Sequence, residues 1–127
     1  MSDHTQLSRR ERQLMDILYT LGTATTEEIR ERMDDAPTSN AVRTLLQILE
    51  EKGHLRRIKD GREYTYEPTQ SRARAGLKAF QHVLETFYEG SIEKALTAHL
   101  ARKQEELTPE DVERLKELIE AARKKEN

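Results

Sequence analysis

The chain has 127 residues, no cysteine and a formal net charge of −2, with 36% charged and 35% hydrophobic residues. That length predicts one compact domain or two small ones, and the missing cysteines exclude a disulfide framework or a cysteine-based metal site. No apolar run approaches the roughly 18 residues of a membrane span and the opening MSDHTQLSRRER is polar, so a soluble cytoplasmic protein without membrane insertion is expected.

Ser8-Arg9-Arg10-Glu11 has the form of a capping box, and Leu14, Ile17, Leu18 and Leu21 follow at helical spacing up to Gly22. This predicts a first helix over about 8–21. Thr25-Thr26-Glu27-Glu28 is a second box, opening a short helix that Asp34-Asp35-Ala36-Pro37 ends. Thr38 or Ser39 can cap a third helix, about 38–52, with Val42, Leu45, Leu46 and Leu49 as its buried stripe and Gly53 past its end. HLRRIKD and REYTYEP then flank Asp60-Gly61, a two-residue hairpin signal, giving a wing over about 54–67.

The remainder reads as helical. A fourth helix, about 69–89, carries Leu77, Phe80, Leu84 and Phe87 on one face, and Gly90 breaks it. Ser91 can cap a fifth helix with Ile92, Ala95, Leu96, His99 and Leu100. Thr108-Pro109-Glu110-Asp111 starts a sixth, with Val112, Leu115, Leu118 and Ile119 as its stripe and Arg123, Lys124 and Lys125 at the end where the helix dipole favours cations. The expected fold is mostly α with a small β-hairpin: an N-terminal winged helix-turn-helix, 1–68, followed by a helical dimerisation region, 69–127.

In a helix-turn-helix the second helix of the pair enters the major groove with its N-terminal residues at the base edges. The buried stripe leaves Ser39, Asn40, Arg43 and Gln47 on the outer face. Arginine suits guanine and asparagine suits adenine, while the helix N-terminus with Thr38 and Thr44 suits phosphate. Between Ala36 and Arg62 six basic residues face three acids, a local balance of +3 within a negative chain. Arg56 and Arg57 alternate along the strand, so one of them can be merely solvated, while Tyr64 and Tyr66 share a strand face suited to packing on the helices. The apolar faces of the last three helices exceed what a small monomer covers. This favours a partner chain over back-packing on the winged helix, with a ligand pocket between them as a third reading.

AVRTLLQILEEKGHLRR followed by DGREYTYEP resembles the penicillinase-repressor (BlaI/MecI/CopY) family of bacterial transcriptional regulators. FYEGSIEKALTAHL and EELTPEDVERLKELIE resemble that family's C-terminal dimerisation segment, so the resemblance runs from about Leu7 to Ile119. It implies a homodimeric repressor on a palindromic double-stranded DNA operator, with contacts carried over to Thr38, Ser39, Asn40, Arg43, Thr44 and, on the wing, Arg62. The dimer contacts would come from Leu77, Phe80, Leu84, Phe87, Ile92, Leu96, Leu100, Leu115, Leu118 and Ile119. The chain departs from the family at Pro37 in place of a common tryptophan, Ala41 in place of a threonine and Ile48 in place of an arginine, so an operator sequence does not carry over. It lacks the cysteine cluster of copper-responsive members and the Asn-Phe bond cut in penicillinase repressors, which leaves a sensor protease that relieves repression open but unsupported.

The alternative is a winged-helix protein-interaction module without DNA binding, favoured by the net negative charge and by Asp34 and Asp35 just before the third helix. His4, His54, His82 and His99 make no ligand spacing, and there is no glycine-rich phosphate loop. Neither a metal, nor a cofactor, nor enzyme activity is expected.

Overall fold

In a computed structural model of the chain, residues 7–101 and 107–126 are described; His4 falls outside them. The element order is α1 (Arg9–Leu21), α2 (Thr26–Arg32), α3 (Ser39–Glu51), β1 (Leu55–Asp60), β2 (Glu63–Pro68), α4 (Arg72–Phe87), α5 (Ile92–Leu100) and α6 (Pro109–Glu126). Two compact units divide the chain, Met1–Phe80 and Gln81–Asn127. The division falls inside α4.

Both N-terminal capping boxes form. Ser8 and Glu11 exchange side-chain-to-backbone hydrogen bonds of 3.0 and 3.1 Å, and Thr25 and Glu28 do the same at 2.8 and 3.2 Å. Thr38 is the cap of α3, its hydroxyl accepting from the Ala41 N–H. Gly53, at φ 86°, provides the left-handed residue that releases the chain from α3 into the wing. Asp35 and Ala36, at φ 71° and 44°, make the turn between α2 and α3 with left-handed backbone that Ala36 adopts at a steric cost.

Leu14, Leu18, Ile29, Val42, Leu46, Leu49 and Leu55 are fully buried and join the three helices to the first strand. Leu45 is only partly buried at the rim of this core. Tyr66 brings β2 into it, and its backbone pairs with Ala24 through two hydrogen bonds of 2.8 and 3.1 Å. The wing is thus stitched to the segment between α1 and α2 as well as to α3.

The hairpin register pairs Asp60 with Glu63 and Arg57 with Tyr66. The two-residue loop is therefore Gly61-Arg62, one residue beyond the Asp60-Gly61 expected from the sequence. Gly61 has φ 65° and Arg62 does not share a positive φ. Glycine at the first loop position is what a type II′ turn needs, and this choice keeps Asp60 in the ladder. The fourth helix starts later than expected because Thr69 is tied back to the start of the wing. Its N–H donates to the His54 carbonyl at 3.1 Å and its hydroxyl to the Gly53 carbonyl at 2.8 Å. Ser71 then receives the Arg74 N–H on its hydroxyl.

In the second unit, Ser91 caps α5 and Thr108 exchanges hydrogen bonds with Asp111 at the start of α6. At the end of α4 both Glu89, at φ 56°, and Gly90, at φ 79°, have left-handed backbone, and the Gly90 N–H donates to the Leu84 carbonyl at 2.8 Å. Of the residues expected to meet a partner chain, Leu84 is buried within its own chain. The others, Leu77, Phe80, Phe87, Ile92, Leu96, Leu100, Leu115, Leu118 and Ile119, are exposed, Phe87 by 71%. No described helix is long and apolar enough to cross a membrane.

Candidate nucleic-acid interface

The apolar spacing of α3 fixes what the helix shows to solvent. Val42, Leu46 and Leu49 point into the core, so Asn40, Arg43, Thr44 and Gln47 are left on the exposed side. The six residues expected to touch DNA do not behave alike. Thr38 is exposed, with its hydroxyl engaged in the cap. Ser39 is half-buried and donates its hydroxyl to the Glu27 carboxylate at 2.5 Å. Thr44 donates to the Asn40 carbonyl at 3.0 Å, one turn back. Arg43 leans on Asn40, its guanidinium 3.4 Å from the side-chain oxygen. Arg62 stands at the second position of the wing loop, exposed and in no ion pair among the described residues.

Sequence reasoning missed the network that sets the angle of the helix pair. Glu27 receives both Ser39 and, at 3.0 Å, Arg30, while Arg30 also donates to the Pro37 carbonyl at 3.3 Å. The Ser39 hydroxyl, then Arg30, hold the Glu27 carboxyl below its ordinary value. An acid on α2 thus braces the first residue of α3, and its only sequence signal was its place as an acid in the first turn of that helix. Glu11 has a similar role lower down. It is buried, caps α1 and meets Lys52 at 3.1 Å, so α1 is tied to the end of α3. The Ser8 N–H lowers its carboxyl below the ordinary value, burial opposes this, and Lys52 adds to the lowering.

On the wing the two neighbouring arginines separate. Arg56 lies on the far face and is neutralised by Glu67 at 2.6 Å. Arg57 lies on the face that holds Tyr66, with its guanidinium 4.5 Å from the centre of the Tyr64 ring, and Lys59 is 5.8 Å from the same ring. Tyr64 is therefore a platform for cations instead of a core residue, whereas Tyr66 packs as expected. Arg57, Arg43 and Gln47 line one groove between α3 and the wing, together with Glu50, Glu51 and Tyr66. The acids confine the cationic part to the N-terminal half of α3 and the inner face of the wing. Among the described residues no group of three or more His, Asp or Glu is placed to hold a metal ion.

The model of the penicillinase repressor family matches residues 7–121. The chain belongs to this family. It is accordingly a winged-helix, DNA-binding regulator of transcription, of a family of repressors and not of enzymes. Among solved structures, a cysteine-to-serine mutant of MarR from E. coli complexed with operator DNA is 16% identical, with a TM-score of 0.55, over 94% of this chain and 77% of that one. A glutamate-to-alanine mutant of ZitR from Lactococcus lactis is 18% identical, with a TM-score of 0.52, over 100% of this chain and 80% of that one. These two likenesses carry the winged-helix fold. The solution structure of the DNA-binding domain of the repressor BlaI is 25% identical, with a TM-score of 0.48, over 56% of this chain and 89% of that one. No curated protein sequence matches the chain.

Proposed function

We propose that this penicillinase-repressor family member represses transcription as a homodimer on a palindromic operator, with α3 in the major groove and the wing on the flanking backbone. The observation that carries the reading is the groove in which Arg43 and Gln47 of α3 face Arg57 of the wing. A helix edge that offers an arginine and an amide suits base edges, and a cation held on an aromatic ring beside it suits phosphate. Arg43 and Asn40, already paired side by side, read bases. Thr38, Thr44 and Arg62 bind the backbone, and Ser39 positions the helix through Glu27.

The exposed apolar residues of α4, α5 and α6 supply the dimer contacts. A two-fold dimer presents two copies of α3 related by symmetry, so its preferred site is a palindrome with half-sites about one helical turn apart. The chain's two asparagines, Asn40 and Asn127, form no Asn-Phe bond, so nothing supports cleavage by a sensor protease as the route of release.

Fluorescence anisotropy on DNA from just upstream of the protein's own gene tests the reading, at several salt concentrations and with scrambled competitor. Tight, salt-dependent binding that scrambled DNA fails to displace is expected. Arg43→Ala should cost about 1–3 kcal/mol and relax preference at one base position. Parental binding by that variant would overturn the placement of the reading edge.

A further inference from the structure

A cavity of about 960 Å³ lies within the first unit, bounded by the outer side of α1, the turn from α3 into β1, and the first turns of α4. The DNA-contacting edge of α3 and the wing loop take no part in it. Its walls are chemically uneven. Met15 and Tyr19 of α1 form an apolar floor, with Met15 buried and Tyr19 partly so. Arg12, Lys52, Arg72, Arg74 and Lys78 line the rest, against a single acid, Asp16. Lys52 is already paired with Glu11, so the local bias is carried by Arg72, Arg74 and Lys78 in a chain whose net charge is −2.

Several cations elsewhere on the described surface have a carboxylate beside them, as in the pairs Arg10–Asp35, Arg30–Glu27, Arg56–Glu67, Lys94–Glu89 and Arg114–Asp111. Arg72, Arg74 and Lys78 make no ion pair among the described residues, though all three stand within two turns of α4. Arg74 and Lys78 are four residues apart and so share a helix face. Like charges at that spacing repel, and a helix gains nothing from them unless something anionic lies between. Gly76 lies among them in the interior of α4, where glycine costs about 1 kcal/mol against alanine. No packing contact demands it, since a Cβ there would meet nothing within 4 Å. Its effect is to keep the wall of the cavity set back.

We propose that this cavity binds a small organic anion, its carboxylate or phosphate head held by Arg72, Arg74 and Lys78 and its apolar body lying on Met15 and Tyr19. The volume suits a molecule of metabolite or drug size. The site is independent of the DNA-binding reading, because no residue of that interface holds the anion.

The test uses the full chain and 8-anilinonaphthalene-1-sulfonate, an anion with an apolar aromatic body, followed by fluorescence and calorimetry. Saturable binding of one probe per chain is expected, and the double variant Arg74→Ala/Lys78→Ala should weaken it by about tenfold or more, as loss of charged hydrogen bonds does. Both residues are exposed, so far-UV circular dichroism should be unchanged. Gly76→Leu, which projects into open space, should block the probe by filling the cavity. Displacement by phenyl phosphate or by benzoate supports the site and names its head group. Absence of saturable binding overturns the proposal. So does saturable binding that the Arg74/Lys78 variant and Gly76→Leu both retain, because the probe then sits outside this cavity.

Discussion

Two adjacent arginines on one strand should differ sharply when removed. Arg57 holds its guanidinium over Tyr64 on the wing face shared with Arg43 and Gln47, whereas Arg56 is held by Glu67 on the other face. If Arg57 neutralises one phosphate per protomer, Arg57→Ala should lower the slope of log affinity against log salt by about 0.9 for each copy bound. For a dimer that is about 2 units in all. At fixed salt the loss should be about 1 kcal/mol per contact, or roughly five- to tenfold per protomer. Arg56→Ala removes a cation already satisfied at 2.6 Å, and an exposed pair of this kind contributes about 0–1 kcal/mol to stability. Its salt slope should match the parent. Anisotropy titrations of parent and both variants at four or five salt concentrations decide the matter, with a scrambled duplex as control. Equal slope losses in the two variants would refute the argument from strand face, and a larger loss for Arg56→Ala would reverse it.

Glu11→Ala should destabilise the first unit by about 1–3 kcal/mol, since it deletes both the cap on Ser8 and the link to Lys52. The Glu11 carboxyl is held below its ordinary value in the folded chain. Its contribution is therefore complete above the ordinary value of about 4.3 and is lost as pH falls through the lower folded value; urea titrations should show this acid-side loss in the parent and not in Glu11→Ala. Gly61→Ala places a Cβ at φ 65° with nothing in contact, so its penalty is conformational, about 1–2 kcal/mol, and should appear as a lowered melting temperature. Phe87→Ser, at the most exposed of the apolar positions on α4, should weaken self-association by about tenfold or more in sedimentation equilibrium, and a dimer of parental strength would remove that face from the interface.

The elements of the winged helix were legible because each has a local cause. Two capping boxes, a helical stripe, glycines after α1 and α3 and the Asp34–Pro37 turn after α2 placed the three helices within a residue or two. The hairpin loop was off by one because Asp-Gly suits a type I′ turn while the backbone at Gly61 adopts the first position of a II′ turn; the sequence permits both. That slip left the parity of the two strand arginines intact, though the sequence alone did not say which of them is merely solvated. Either register sets Arg57 opposite a tyrosine on the same face, so strand parity already separated it from Arg56. What stayed out of reach were pairs distant in sequence, such as Glu27 with Ser39 and Glu11 with Lys52. Glu11 looks spent on its own capping box and Glu27 looks like an ordinary first-turn acid, and each acquires its tertiary partner only when the fold brings one near.

The second unit has a consequence for how the regulator responds to its own concentration. Among its described residues only Leu84 is buried, while α5 has 9 residues and shows Ile92, Leu96 and Leu100 to solvent. A helix of that length is marginal in water without a packed face. Fully covering an exposed leucine, isoleucine or phenylalanine stabilises by about 1.5–3 kcal/mol, so pairing these faces across the proposed dimer would supply the core that the unit lacks alone. Folding of the unit and self-association are then one equilibrium, and operator occupancy inherits its concentration dependence. Two linked winged helices gain avidity on a palindrome that neither has singly. Dilution should therefore weaken binding more steeply than simple mass action on a preformed dimer allows, and the helical signal of the second unit should fall in step with it. A signal that stays constant while operator binding is lost would separate the two events and show that the unit holds its fold without a partner.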